Sequence, residues 1–255
     1  MSFPFYPSRP GFCIVFTGRT EASGGNAVNI VYAVTNDYHE KIIPSMRSLL
    51  RHNPKAKVYV VTESDTVEGL PGKATVINVK DQQYFKPTDV NYYNPFTYIN
   101  LMKVCYASIL PCDKVLHLDV DTIVCDSLEP LWKTDLKGKW FAAVPEWRGH
   151  YNPFNGYYYN AGVLLLNLKQ MRKDNAEEAL VRYLKAFRQP YADQDSWNKM
   201  AADMDVAVVA DTRFNECVPC GTTDHPAIVH YCGYKNWWEY PYIPRRQLLD
   251  EYKDA

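Results

Sequence analysis

The stretch Lys114-Val-Leu-His-Leu-Asp-Val-Asp121 constrains this chain more than any other. A mostly apolar run leads directly into two carboxylates spaced i, i+2, and successive strand residues alternate faces, so an extended chain points Asp119 and Asp121 the same way. Two carboxylates on one side want a cation. In an open α/β sheet ligands gather at the carboxyl ends of the strands, so an Asp-x-Asp closing a buried strand stands where a metal-bound phosphate ligand sits. Taken alone, the triplet is more often a solvated turn, and the rest of the chain has to decide.

At 255 residues the chain is long enough to bury a proper core, and a hydrophobic content of 47% with 22% charged residues excludes a disordered polymer. A formal charge of -1 provides no basic field for nucleic acid, which favours small-molecule partners. Twenty tyrosines and six tryptophans crowd into 84–98, 147–159 and 231–242; flat amphipathic rings suit sugars and bases, and ordinary cores as well. Seven cysteines at low density argue against a complete disulfide framework and for a reducing compartment, and the absence of any Asn-x-Ser/Thr acceptor agrees with a cytoplasmic protein. No apolar run approaches the ~20 residues of a transmembrane helix, and Pro4, Pro7 and Pro10 break the start as a signal peptide. Peripheral membrane association is left open.

Residues 1–25, ending in Ser23-Gly24-Gly25, read as an arm or linker, and 26–255 as a single domain. Asn29 to Val34 is a buried strand. After the polar turn Thr35-Asn36-Asp37-Tyr38, the spacing of Ile42, Ile43, Met46, Leu49 and Leu50 predicts a helix up to Asn53-Pro54, and Lys57 to Val61 is the next strand. This strand, helix, strand unit opens a parallel sheet. A strand is expected at 74–79, an aromatic loop at 82–96, and a helix over 97–110 that feeds the central strand. Beyond it come strands at 140–144 and 161–168, an amphipathic helix over 171–188, a helix over 194–204, strands at 206–209 and 227–230, and a short final helix. Alternating strands and helices make this an α/β domain of doubly wound type, a mostly parallel twisted sheet flanked by helices.

Several stretches then line up with one family. Lys114 to Val124, Asp126-Ser-Leu-Glu-Pro-Leu-Trp132, Tyr159-Asn-Ala-Gly162 running on to Leu168, Ala192-Asp-Gln-Asp-Ser-Trp-Asn198 and His230-Tyr-Cys-Gly-Tyr-Lys235 with Trp237 resemble the family 8 retaining glycosyltransferases, which include glycogenin and bacterial lipopolysaccharide galactosyl- and glucosyltransferases. The resemblance runs from about Asn29 to Trp238. It implies a GT-A fold that binds a nucleotide sugar, usually a UDP-sugar, and Mn2+, with Mg2+ tolerated. Asp119, Asp121 and His230 are then the expected metal ligands, an oxygen and imidazole set suited to Mn2+. Gly233 lets the backbone approach the phosphates and Lys235 adds positive charge, although Asn236 stands where the family usually has Pro. Lys103 matches the family's Lys or Arg that reaches the donor; Thr35, Asn36, Asp37 and Tyr38 match the loop around uracil and ribose, with Tyr38 suited to stack on the base, and Val120 lies between the two aspartates. Asn160, Ala161 and Gly162 match the segment facing the donor sugar, the small residues leaving room for it. In the Asp-Gln pair, Asp193 binds sugar hydroxyls and Gln194 lies near the reacting carbon. A Gln amide is a poor nucleophile, which favours front-face displacement, and Asp195 is the nearest carboxylate for a double displacement.

The expected partners are a nucleotide sugar and a glycan or other hydroxyl-bearing acceptor, bound by the loops 82–96 and 145–159, with a homodimer left open. Three rival readings remain. Cys217-Val-Pro-Cys220 with His225, His230 and Cys232 has the makings of a zinc tetrahedron, while Cys13, Cys105, Cys112 and Cys125 read as buried thiols. A catalytically inactive module of the same fold would bind a nucleotide sugar or glycan without turning it over. A nucleotidyltransferase is disfavoured by the lack of a Gly-x-Gly-x-x-Gly loop after the first strand.

Overall fold

The computed structural model describes residues 27–93, 97–146, 152–219, 221, 223–233 and 236–253. The expected arm at 1–25 lies outside them, as do Cys13, Cys220 and Lys235. The strand β1 (Asn29–Ala33) is followed by a 3-10 turn (Asn36–Lys41), helix α1 (Ile42–His52) and β2 (Lys57–Thr62). The first and second strands pair in parallel from Asn29 with Lys57 to Ala33 with Val61. α1 buries Ile42, Met46 and Leu49, and it ends where Asn53 leaves helical geometry ahead of Pro54, which cannot continue a helix. β3 (Ala74–Asn78) extends the sheet beside β2.

The expected helix over 97–110 is broken into α2 (Thr97–Leu101), a 3-10 segment (Met102–Cys105) and α3 (Tyr106–Ile109). It is followed by the central strand β4 (Val115–Leu118), then β5 (Thr122–Val124), α4 (Glu129–Trp132), β6 (Phe141–Ala143) and β7 (Val163–Leu166). The single amphipathic helix expected over 171–188 is two, α5 (Leu168–Lys173) and α6 (Ala176–Ala186), because Asn175 adopts left-handed backbone with φ 53°. α7 (Asp193–Met204), β8 (Ala207–Val209), β9 (Glu216–Cys217), β10 (Ile228–His230) and α8 (Arg246–Lys253) complete the chain.

Seven strands form one sheet in the order β3-β2-β1-β4-β7-β6-β8. It is parallel except that β7 runs antiparallel to both neighbours, with Leu118 opposite Val163. Alternate residues feed two core layers: Val31 and Ala33 pack on one face of the sheet, Ile30 and Tyr32 on the other. This is the expected α/β fold of GT-A type. A second, three-stranded sheet, β5-β10-β9, has its own apolar cluster around Ile123, Val229, Tyr231 and Leu249. Among the described residues no helix is long and apolar enough to cross a membrane.

The reversed direction of β7 joins two stretches far apart in sequence. The carboxyl end of β4 lies beside the amino end of β7, so Asp119 meets Gly162, whose carbonyl accepts the Asp119 N–H at 2.8 Å.

Candidate metal and donor site

The two aspartates do not converge by strand alternation. β4 ends at Leu118, and Asp119 to Asp121 form a turn into the second sheet, fixed by the Thr122 hydroxyl donating to the Asp119 carbonyl at 2.8 Å. Thr122 sits opposite His230 in the antiparallel pair of β5 and β10, and the Tyr231 N–H donates to the Asp121 carbonyl. This pairing brings His230 to the aspartates. Ligand atoms of Asp119, Asp121 and His230 all lie within 4.8 Å of one another. His230 Nε2 is 3.1 Å from Asp121 Oδ1 and 4.0 Å from Asp119 Oδ2.

The surroundings fit a divalent ion. His230 Nδ1 lies 2.8 Å from Asn215 Oδ1 and donates to it, which turns Nε2 to the carboxylates, where it donates to Asp121 when protonated and can offer its lone pair to a cation once that proton leaves. Asn215 in turn donates to Asn160 Oδ1, which also accepts the Gly162 N–H. A Cβ on Gly162 would stand 2.2 Å from His230 Cε1 and 2.9 Å from Asp119 Oδ2. That glycine was expected to make room for a sugar; its absent side chain makes room first for the ligands themselves.

Lys103 is no surface lysine. It lies in the 3-10 segment, 3% exposed, with Nζ 2.8 Å from Asp119 Oδ1 and 3.5 Å from Asp193 Oδ2. Burial opposes its charge, but the attraction of Asp119 and Asp193 wins and the ammonium titrates above its usual range. Burial likewise opposes ionisation of Asp119, and the Lys103 ammonium overrides it and holds the carboxyl below the usual range. Asp193 goes the other way. Burial pushes its pKa up to about 6 despite Lys103, and Oδ2 has no hydrogen-bond partner among the described residues.

Asp193 opens α7 directly after Ala192, a buried residue at φ 49° and ψ −120°. Such backbone costs an alanine about 1 to 3 kcal/mol, and its position beside a buried carboxylate oxygen that has no hydrogen bond among the described residues marks a constrained site. Gln194 is held at both ends of its amide: Oε1 accepts the Ala161 N–H at 2.9 Å and Nε2 donates to Glu146 at 2.8 Å. Asp195 is fully buried and engaged by both oxygens, accepting from the Tyr158 hydroxyl at 2.6 Å and from the Tyr191 N–H at 2.9 Å.

The remaining expected residues line the same edge of the sheet. Thr35 follows β1 in extended backbone, and Asn36, Asp37 and Tyr38 are exposed on the turn after it. Asn36 accepts from Thr62 and Ser64, and the Lys41 ammonium stands 3.8 Å from the Tyr38 ring centre. Val120 is half-buried, and Gly233 takes φ 81° just after the strand that carries His230. Lys235 lies outside the described residues. The zinc reading loses two ligands, because Cys217 and Cys232 are paired as a disulfide, which the expectation of a reducing compartment did not foresee; His225 is exposed. Of the expected buried thiols, Cys105 is buried, whereas Cys112 and Cys125 are half-buried. Tyr106, His117, Glu146 and Asn215 escaped the sequence reading. Each acts through another site residue, and no spacing rule marks such a partner.

The family description glycosyl transferase family 8 matches residues 29–240. The chain belongs to that family. Among curated proteins it is 24% identical to glycosyltransferase GlyA of Streptococcus pneumoniae serotype 4, over 82% of this chain and 32% of GlyA. It is also 24% identical to GlyB of the same organism, over 83% of this chain and 58% of GlyB. The chain thus spans between a third and three fifths of these relatives. Among solved structures, the galactosyltransferase LgtC in complex with donor and acceptor sugar analogues superposes with a TM-score of 0.69 at 25% identity, covering 89% of this chain and 95% of that one. The bifunctional glycosyltransferase WbbM superposes with a TM-score of 0.72 at 19% identity, over 93% of this chain and 51% of WbbM, which speaks to the fold alone.

Proposed function

We propose that this family 8 member is a Mn2+-dependent retaining glycosyltransferase that moves a hexose from a UDP-sugar to a hydroxyl of a glycan or other acceptor. The observation that carries the reading is the convergence of Asp119, Asp121 and His230 beside the buried Lys103 and Asp193, at the sheet edge where nucleotides bind. A divalent ion held there supplies Lewis-acid offset of the charge that a diphosphate gains as the glycosidic bond breaks, with Mg2+ as the alternative ion. That LgtC, of similar fold, was crystallised as a galactosyltransferase with donor and acceptor sugar analogues supports the sugar-transfer reading.

The chain's own residues divide the rest of the work. Thr35, Asn36, Asp37 and Tyr38 would bind the base and ribose, Asn36 to Tyr38 being exposed, and the half-buried Val120 between the two aspartates would contribute to the donor site. Lys103 is anchored by two carboxylates and faces the donor, while Gly233 and Lys235 receive the phosphates. Asn160, Ala161 and Gly162 leave space for the sugar, and Asp193 Oδ2, which stands 3.5 Å from the Lys103 ammonium without a hydrogen bond, accepts one of its hydroxyls. Gln194 is locked by Ala161 and Glu146, so its amide is a fixed dipole beside the reacting carbon. Both Asp195 oxygens are already engaged, which argues against Asp195 as the nucleophile of a double displacement. Retention then follows from front-face displacement, the acceptor hydroxyl passing its proton to a donor phosphate oxygen.

The test is UDP release from a panel of UDP-sugars, with Mn2+ and with chelator, alongside donor binding by calorimetry. Metal-dependent release from one donor supports the proposal and names the sugar. Donor binding with no release in the presence of a broad acceptor panel would support the inactive binding module instead.

A further inference from the structure

Asp119 is gripped by a chain of buried groups to which donor binding and transfer assign no task. His117 belongs to β4 and is fully buried on the sheet face opposite Leu116 and Leu118, a position where its neighbours are apolar. Its Nε2 lies 2.9 Å from Asp119 Oδ1, and its Nδ1 lies 3.2 Å from the hydroxyl of the equally buried Tyr106 in α3. Lys103 Nζ reaches the same Oδ1 at 2.8 Å, whereas Oδ2 is the oxygen within 4.0 Å of His230 Nε2. The two Asp119 oxygens therefore have different jobs.

One arrangement satisfies every atom of this chain. The Tyr106 hydroxyl donates to Nδ1, and Nε2–H donates to Asp119 Oδ1. The other neutral tautomer would set an imidazole lone pair against a carboxylate lone pair in a dry interior. The Lys103 ammonium already shares Asp119 Oδ1 with the ring in a dry interior, which disfavours a second positive charge there and leaves the ring one proton to place.

We propose that His117, its tautomer fixed by Tyr106, is a positioning residue for Asp119: it occupies Oδ1 and leaves Oδ2 as the single oxygen offered to a divalent cation beside Asp121 and His230. The inference rests on the reading of Asp119, Asp121 and His230 as a metal site. Partners that orient a ligand in this way typically contribute 10- to 100-fold in metal affinity.

Two measurements test it. The first is 15N NMR of the imidazoles in the metal-free wild-type protein, which should show His117 as the Nε2–H tautomer; an Nδ1–H tautomer overturns the proposal without any variant. The second is Mn2+ titration followed by electron paramagnetic resonance on wild type, His117→Leu, His117→Gln and Tyr106→Phe, with far-ultraviolet circular dichroism as the check on folding. His117→Leu should weaken Mn2+ binding by at least 10-fold. His117→Gln keeps an N–H near the Nε2 position and should stay within about threefold of wild type, and Tyr106→Phe should fall between. Should His117→Leu fail to fold, the Gln and Phe variants and the tautomer decide. A folded His117→Leu with wild-type affinity overturns the inference and leaves the metal reading standing. Wild type that binds no Mn2+ overturns the metal reading, and the inference with it.

Discussion

Gly162 shows how little freedom the ligand cradle has. A Cβ 2.2 Å from a carbon of the His230 ring cannot be accommodated without moving the ring off its bond to Asn215. Gly162→Ala should therefore abolish Mn2+ binding and cost about 1 to 3 kcal/mol of stability, measured by calorimetric titration and by denaturant melts. Asp193 makes a prediction of opposite sign. Its pKa rises from 3.8 unfolded to about 6 folded, so between those values the native state holds the proton more tightly, and stability is lost as pH rises through that window. Asp193→Asn removes the penalty. It should stabilise the metal-free protein by about 1 to 3 kcal/mol above pH 6 and by almost nothing below pH 4, while turnover collapses. Thermal melts across pH check the first statement and UDP release the second. The pairing of Asp119 with Asp121 was legible in the sequence itself, and His230 and Gly162 were expected from the family resemblance; the structure brings all four together. The reason for Gly162 was not legible, because the close approach that requires it joins two strands distant in sequence.

α7 carries the residues proposed to face the reacting carbon, and its first turn is tied down by Asp195, which bridges Tyr158 and the Tyr191 backbone. Asp195→Asn keeps acceptor capacity for one of these and should lose about 1 kcal/mol with turnover still measurable; loss of all turnover in a folded variant would revive the double displacement. Gln194→Ala should lower kcat more than donor affinity, a split readable in steady-state kinetics. The elements themselves were legible where hydrophobic periodicity was long and uniform, as in β1, α1 and β2. It failed at Asn175, where one residue in left-handed backbone splits a continuous amphipathic pattern, and around Lys103, where 3-10 geometry interrupts a helix without any Gly or Pro to announce it. The direction of β7 was hidden as well, since Val-Leu-Leu-Leu buries identically whichever way it runs. β9, two residues long, carries no period at all.

Taken as one body, the protein gathers its chemistry at a single edge because β1, β2, β4 and β6 deliver their carboxyl ends there and antiparallel β7 delivers its amino end. The second sheet then closes the site by supplying His230 and, through Asn215, its orientation. Ligands from two sheets make ion binding and global stability one equilibrium. Mn2+ at a hundredfold excess over Kd should raise unfolding free energy by about 2.7 kcal/mol, and chelator should remove the gain, as followed by thermal melts. The most direct test of the central claim is the rate of UDP release from the preferred UDP-sugar by wild type and by Asp121→Ala, each with Mn2+ and with chelator. The account predicts turnover only for wild type with metal, with the variant folded and inactive. Undiminished turnover by Asp121→Ala, or by wild type in chelator, would contradict it.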